Sequence, residues 1–240
     1  MYQHMILMCS DYSMQRRIAF HKSYLDIFSM LEFKKIGDKI MNQFSNIEFS
    51  MHHITTTKRT SNSIKEYDKY FEDVEFFSDI DQFKQNIKKS IEITPEDIVK
   101  YILLKGKFDQ LQIQKLLFFI YSEYLKQHDE PLFSDKFKAW AYGPVIPKIY
   151  GELNKYKKQK ILLGDYELEK IKLELKLERV PNKESILACI DSILYTYGTR
   201  TGGELIEQTH KKGSPWDLTI KQFGLNSEIP INIIKDYVRI

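Results

Sequence analysis

In the run Thr209-His210-Lys211-Lys212-Gly213-Ser214-Pro215-Trp216 a histidine stands close to a tryptophan. An imidazole titrates near neutrality, so His210 is a candidate general base or pH-sensitive contact beside Trp216. The same residues also read structurally, with His210 ending the helix that carries Leu205 and Ile206 and Trp216 closing a core. Base catalysis requires a partner and a pocket, and the sequence displays neither. Metal chemistry has less support. His52 and His53 are adjacent and on regular structure point apart, and there is no Cys-x-x-Cys or His-Glu-x-x-His spacing. His128 sits in the polar run Lys126-Gln127-His128-Asp129-Glu130, which reads as an exposed loop. Gly143 and Gly202-Gly203 lie outside any phosphate-cradling glycine pattern, and no Gly-x-Ser-x-Gly elbow presents a nucleophile. The expectation is a chain that is not an enzyme, with no catalytic, cofactor-binding or metal site and no cofactor.

Recognition has a better candidate. Lys138-Ala139-Trp140-Ala141-Tyr142-Gly143-Pro144-Val145-Ile146-Pro147-Lys148-Ile149-Tyr150 packs prolines, a glycine and large aromatics into one turn. Pro144 and Pro147 stiffen the backbone between the rings, and Pro144 restrains Gly143 towards extended geometry. Stiff aromatic surface loses little entropy on binding, which suits an interface. Equally, the rings can staple the loop onto its own helix. The lysines beyond it, Lys155, Lys157, Lys158 and Lys160, suit an acidic partner or backbone phosphates, or form an ordinary solvated face.

The elements that position these residues fall into two modules, 1–90 and 94–240. In the first, Ile18, Leu25, Phe28, Leu31, Ile36, Ile40 and Phe44 recur at helical spacing, with Gly37 as an interruption. Thr55 to Ser63 reads as a loop or a solvated strand. Tyr67, Tyr70, Phe71, Val74 and Phe77 give an aromatic stripe continued by Ile80, Phe83 and Ile87, broken at Asp79 or Asp81. The second module begins with Thr94-Pro95-Glu96-Asp97, a capping pattern with proline at the first helical position, and that helix ends at Gly106. A long helix starts near Asp109 and buries Ile113, Leu116, Leu117, Ile120 and Tyr124. Ile171, Leu173, Leu175 and Leu177 alternate with Lys172, Glu174, Lys176 and Glu178, which predicts a strand paired with the Leu162-Leu163 region or the first module. Helix resumes after Asn182, and a last short one starts at Pro230. The fold class expected is mainly α, with a small β element and an N-terminal α or α+β extension.

A hydrophobic fraction of 42% and a charged fraction of 29% describe a globular chain able to bury a core. The net charge of +3 is small for a protein that neutralises many phosphates, which disfavours nucleic acid as the principal partner without excluding it. Cys9 and Cys189 form no pattern and fit free buried thiols in a reducing cytoplasm. Met5-Ile6-Leu7-Met8 is too short for a secretory signal, and no stretch approaches the roughly 18–20 apolar residues of a membrane span.

An ordered series of motifs resembles the Panacea domain, the SocA-like family that includes phage-associated GepA-like proteins of prokaryotes. It comprises Leu111-Gln112-Ile113-Gln114-Lys115-Leu116-Leu117-Phe118-Phe119, Pro131-Leu132-Phe133, Phe137 to Val145, Tyr150, Gly198, Leu205, Thr209-His210 and Ser214-Pro215-Trp216. The resemblance covers roughly Thr94 to Ile240. It implies a helical antitoxin of a toxin–antitoxin system that neutralises a cognate protein toxin largely by direct binding. The family-motif positions it carries over are Lys115, Trp140, Tyr142, Gly143, Pro144, Tyr150, His210 and Trp216. A role as a proteolytic adaptor, with protease machinery as partner, is the family's other mode. A nucleic-acid-binding transcriptional regulator and a homo-oligomer are further alternatives. The chain departs from the family pattern at Phe118-Phe119 and at Asp217-Leu218. Residues before Thr94 lie outside the resemblance, and there toxin specificity is expected, with Tyr67, Tyr70 and Phe71 as the candidate contact stripe.

Overall fold

A mixed sheet opens the chain. Strands β1 (Tyr2–Asp11) and β2 (Arg16–Tyr24) form an antiparallel hairpin in which Leu7 faces Phe20. After helix α1 (Phe28–Gln43), β3 (Ser50–Thr56) pairs antiparallel with β1; α2 (Asn62–Tyr67) and one 3-10 turn then lead to β4 (Val74–Phe77), parallel to β2. The order is β3-β1-β2-β4. The computed structural model describes residues 1–12, 14–26 and 28–238. It divides into two compact units, Met1–Glu92 with Leu175–Pro181, and Ile93–Glu174 with Asn182–Ile240. The protein is mainly helical, with this small sheet in the first unit.

Both faces of the sheet are covered, and this explains the sequence of β1. Met5, Leu7, Cys9, Ile18 and Phe20 pack under α1 and α3 (Ile80–Ile91) with Phe33, Ile40, Phe83 and Ile87. Ile6, Met8 and Ala19 pack on the other face with Ile64, Phe71 and Val74. A strand buried on both sides loses its polar alternation and reads as one short apolar run. The helical spacing assigned from Ile18 to Phe44 is therefore corrected: Ile18 lies in β2, while Leu25, Phe28 and Leu31 are exposed. Gly37 does not interrupt α1 but lies buried inside it. The aromatic stripe from Tyr67 is also not one helix. Tyr67 ends α2, Tyr70 and Phe71 form the 3-10 turn, and Val74 and Phe77 belong to β4. Asp79 does stop it, by capping α3 through Gln82 N–H.

The second unit is built around one helix. Thr94 and Asp97 close a capping box on α4 (Pro95–Lys105), and Asp109 with Gln112 closes another on α5 (Gln110–His128). These reciprocal bonds satisfy amides that a helix start would otherwise leave orphaned. Helix α5 is buried along nearly its whole length. Next in the chain come the hairpin β5 (Lys138–Trp140) and β6 (Gly143–Val145), then α6 (Pro147–Leu153), α7 (Tyr166–Leu177), whose last three residues belong to the first unit, and α8 (Lys183–Tyr197). The chain ends with α9 (Gly202–Thr209), α10 (Pro215–Phe223) and α11 (Ile231–Val238). The strand predicted over 171–178 is helix α7, and the physical reason is visible in its leucines. Leu173 and Leu177, one helical turn apart, are buried, while Ile171 and Leu175 are exposed. A strand would have placed all four on one face, and Leu, Lys and Glu are strong helix formers.

Cys9 and Cys189 are free and buried, and desolvation pushes both thiols up to about 12. They are inert by that measure.

Candidate functional site

The site begins with two adjacent polar residues in the buried face of α5. Gln114 and Lys115 of α5 are both buried. Gln114 Oε1 accepts from Ile146 N–H at 2.9 Å, and Lys115 Nζ donates to Pro144 O at 2.8 Å. Adjacent side chains of one helix thus hold the middle of β6 and its exit. Backbone groups of a buried turn must find partners somewhere, and here the long helix provides them.

Gly143 explains the approach. Its φ of +99° lies where side-chain-bearing residues are strained. A Cβ there would stand 2.8 Å from Thr209 Oγ1 and 2.9 Å from Lys115 Cε. Gly143→Ala is expected to cost about 2 kcal/mol through backbone strain and this clash. Urea unfolding followed by tryptophan fluorescence checks it, and an unchanged midpoint would contradict the account.

The rest of the turn is fixed by the segment from α9 into α10. Thr201 caps α9 together with Glu204, and His210 closes the other end, its N–H bonded to Ile206 O at 2.9 Å. The structural role anticipated for His210 is therefore present. Ser214 donates to Thr209 O at 2.7 Å and accepts from Asp217 N–H, setting the start of α10. The His210 ring then stacks on Trp216, with centroids 3.6 Å apart and planes 16° from parallel. Trp216 Nε1–H donates to Trp140 O at 2.8 Å, and the Trp140 ring meets the edge of Tyr150 at 4.9 Å. On its outer side the hairpin pairs with a returning strand segment: Ala139 N–H donates to Ser227 O and Ile229 N–H to Phe137 O, each at 2.8 Å.

Lys115, Trp140, Gly143, Pro144, Tyr150, His210 and Trp216 are thus drawn into one bonded cluster. Tyr142 stands apart from its interior, 70% exposed at the tip of the hairpin. Trp140 and Trp216 are half-buried and not full core residues. Electrostatically the cluster is unusual. Burial pushes the Lys115 ammonium down to about 7, and burial together with the Lys115 charge lowers His210. His210 Nε2 is buried without a hydrogen-bond partner.

Other candidates fall elsewhere. His128 is no loop residue: it ends α5, stacks on Tyr124 at 4.2 Å and bonds Ser185 Oγ at 2.8 Å. His53 bonds Gln3 and His52 bonds Ser50, so the pair serves β3 separately. No group of metal-ligating residues occurs among the described residues, and no described helix is long and apolar enough to cross a membrane. The lysines after the turn are exposed, with Lys160 paired to Asp109 at 3.3 Å. In the first unit Tyr67 and Tyr70 are 71% and 50% exposed, and Arg17 lies over the Tyr70 ring at 4.6 Å. Phe71 is corrected: at 2% exposure it is core under the sheet and offers nothing to a partner. Sequence reasoning missed His4 and His21, which hydrogen-bond to each other at 2.8 Å within the first unit. Histidine inside an apolar strand was the available clue.

A protein-family model described as Antitoxin SocA-like, Panacea domain, matches residues 113–217. That interval holds every residue of the cluster. The chain is also 30% identical over 142 residues to Antitoxin SocA of Caulobacter vibrioides (strain NA1000 / CB15N), covering 54% of this chain and 71% of that protein. No solved structure gives a significant match.

Proposed function

This chain belongs to the SocA-like antitoxin family, with its Panacea domain, and from that premise we propose that it neutralises a cognate protein toxin by direct, stoichiometric contact. The observation that carries the reading is Tyr142, an aromatic ring held out at the tip of a turn whose base is locked by Lys115, Gly143 and Pro144. An exposed tyrosine on a rigid mount offers contact area at little entropic cost, the property of interface residues that dominate affinity. In this reading 94–240 is the antitoxin domain and 1–90 supplies toxin specificity, with Tyr67 and Tyr70 as its contact residues.

Coexpression with the product of the neighbouring gene tests the proposal. That product alone should arrest growth, and this protein should restore it. Tyr142→Ser is expected to weaken binding tenfold or more, about 2 kcal/mol, with stability within about 0.5 kcal/mol of wild type. The double variant Tyr67→Ser, Tyr70→Ser is expected to behave likewise if specificity resides in 1–90. A neighbouring product that is harmless, or undiminished toxicity in the presence of this protein, would sink the antitoxin reading.

A further inference from the structure

Lys115 is fully buried, and its hydrogen bond goes to a backbone carbonyl, that of Pro144, with no carboxylate acting on it among the described residues. The groups that face it are Gly143 and Pro144 of β6 and Thr209 at the end of α9, none of which titrates. Gln114, beside it on α5, is occupied by Ile146 N–H. The titratable neighbour is His210, which follows Thr209 and feels the Lys115 charge. One face of the His210 ring stacks on Trp216, and its Nε2 is buried without a partner.

We propose that Lys115 and His210 form a proton-controlled latch on the turn: the closed form holds at most one positive charge at this site, and a second, taken up as a proton by His210, frees Trp216 from the hairpin. A neutral imidazole can leave one nitrogen bare, but an imidazolium presents an N–H at both nitrogens. At Nε2 that proton would find no acceptor, and the ammonium beside it repels the new charge. Both penalties vanish if the ring swings out to water. That movement breaks the stack on Trp216, whose Nε1–H otherwise ties α10 to Trp140 O at the rim of the hairpin. The position of the Tyr142 turn thereby becomes linked to pH. The latch depends on the folding of the turn and stands whether or not the turn contacts a toxin.

Both tryptophans of the chain, Trp140 and Trp216, lie in this cluster, so intrinsic fluorescence reads the stack without interference from the first unit. The full-length protein is titrated from about pH 8 to about pH 4, and the wild type should show a transition with its midpoint below the ordinary imidazole value of about 6.5. Lys115→Met, which removes the charge at nearly constant length, should raise that midpoint by about one pH unit. His210→Phe, which keeps a stacked ring, should abolish the transition. An unchanged midpoint in Lys115→Met, or a transition that persists in His210→Phe, would overturn the latch. If Lys115→Met does not fold, NMR titration of the wild type decides the matter. Depressed titrations at both residues support the latch, whereas ordinary values at both refute it.

Discussion

Between pH 7 and pH 10.5 the wild-type second unit should gain about 4–5 kcal/mol of stability that Lys115→Met does not gain. The magnitude follows from a folded-state value of about 7 against an ordinary 10.5, the fall being due to burial. The direction follows from proton counting. In that window the unfolded chain still holds the proton that the folded protein has released, so raising the pH favours folding. The contribution is complete above pH 10.5 and is lost as the pH falls towards 7. Methionine fills the same channel without a charge but leaves Pro144 O without its donor, a loss of about 1 kcal/mol. The two stability curves should therefore cross, with the variant more stable at neutrality and the wild type more stable in alkali. Urea unfolding at several pH values, read by tryptophan fluorescence, gives both curves. Parallel curves would show that Lys115 keeps an ordinary ammonium in the folded state.

The first unit should respond at the other end of the scale, losing about 3 kcal/mol as the pH falls from 6.5 to 4. His4 and His21 are the cause. Lys58 O can only accept, so His4 Nε2 carries the hydrogen directed at it, at 3.0 Å. His4 Nδ1 must then accept from His21 Nε2–H across 2.8 Å. The bond between the two rings thus requires His4 Nδ1 to be bare, and Thr56 and Ser63 extend the pair as a chain of hydroxyls into α2. Burial, then the His4 charge, lowers His21 to about 4, and burial lowers His4 as well. With folded values depressed, the unfolded chain takes up protons first on acidification, so stability present above pH 6.5 is lost on the way down. His21→Gln retains an N–H for His4 and cannot titrate in this range. It should flatten the acid slope, as followed by circular dichroism and by hydrogen exchange in β1 and β2. An identical slope in His21→Gln would place the acid sensitivity elsewhere.

The two responses arise from the same physics in opposite settings. Lys115 is a cation buried beside a carbonyl, and His21 is a base buried beside another base; in each case desolvation makes the charged form the unwelcome one.

What the sequence by itself determined was whatever depends on neighbours in the chain. Thr94 with Asp97 and Asp109 with Gln112 announce the starts of α4 and α5 because a capping box is closed by residues three apart. Helix α8 follows from its own apolar spacing, and the family motifs from Gln114 to Trp216 are a matter of ordered residues. The sheet was hidden because β1 has no alternation once both its faces are covered, and because β3, which pairs with β1, and β4, which pairs with β2, arrive only after long excursions. Helix α7 was misread because alternation over a few residues does not say which side chains find a core. The site itself was settled by long-range packing. Nothing local tells that Lys115 is buried, that Gly143 takes a positive φ to let it approach, or that Thr209 and His210 close over the same point. Those facts require α5, the hairpin and the α9 terminus to be in contact, since burial and the lack of charge partners belong to the assembled core and not to any segment of it.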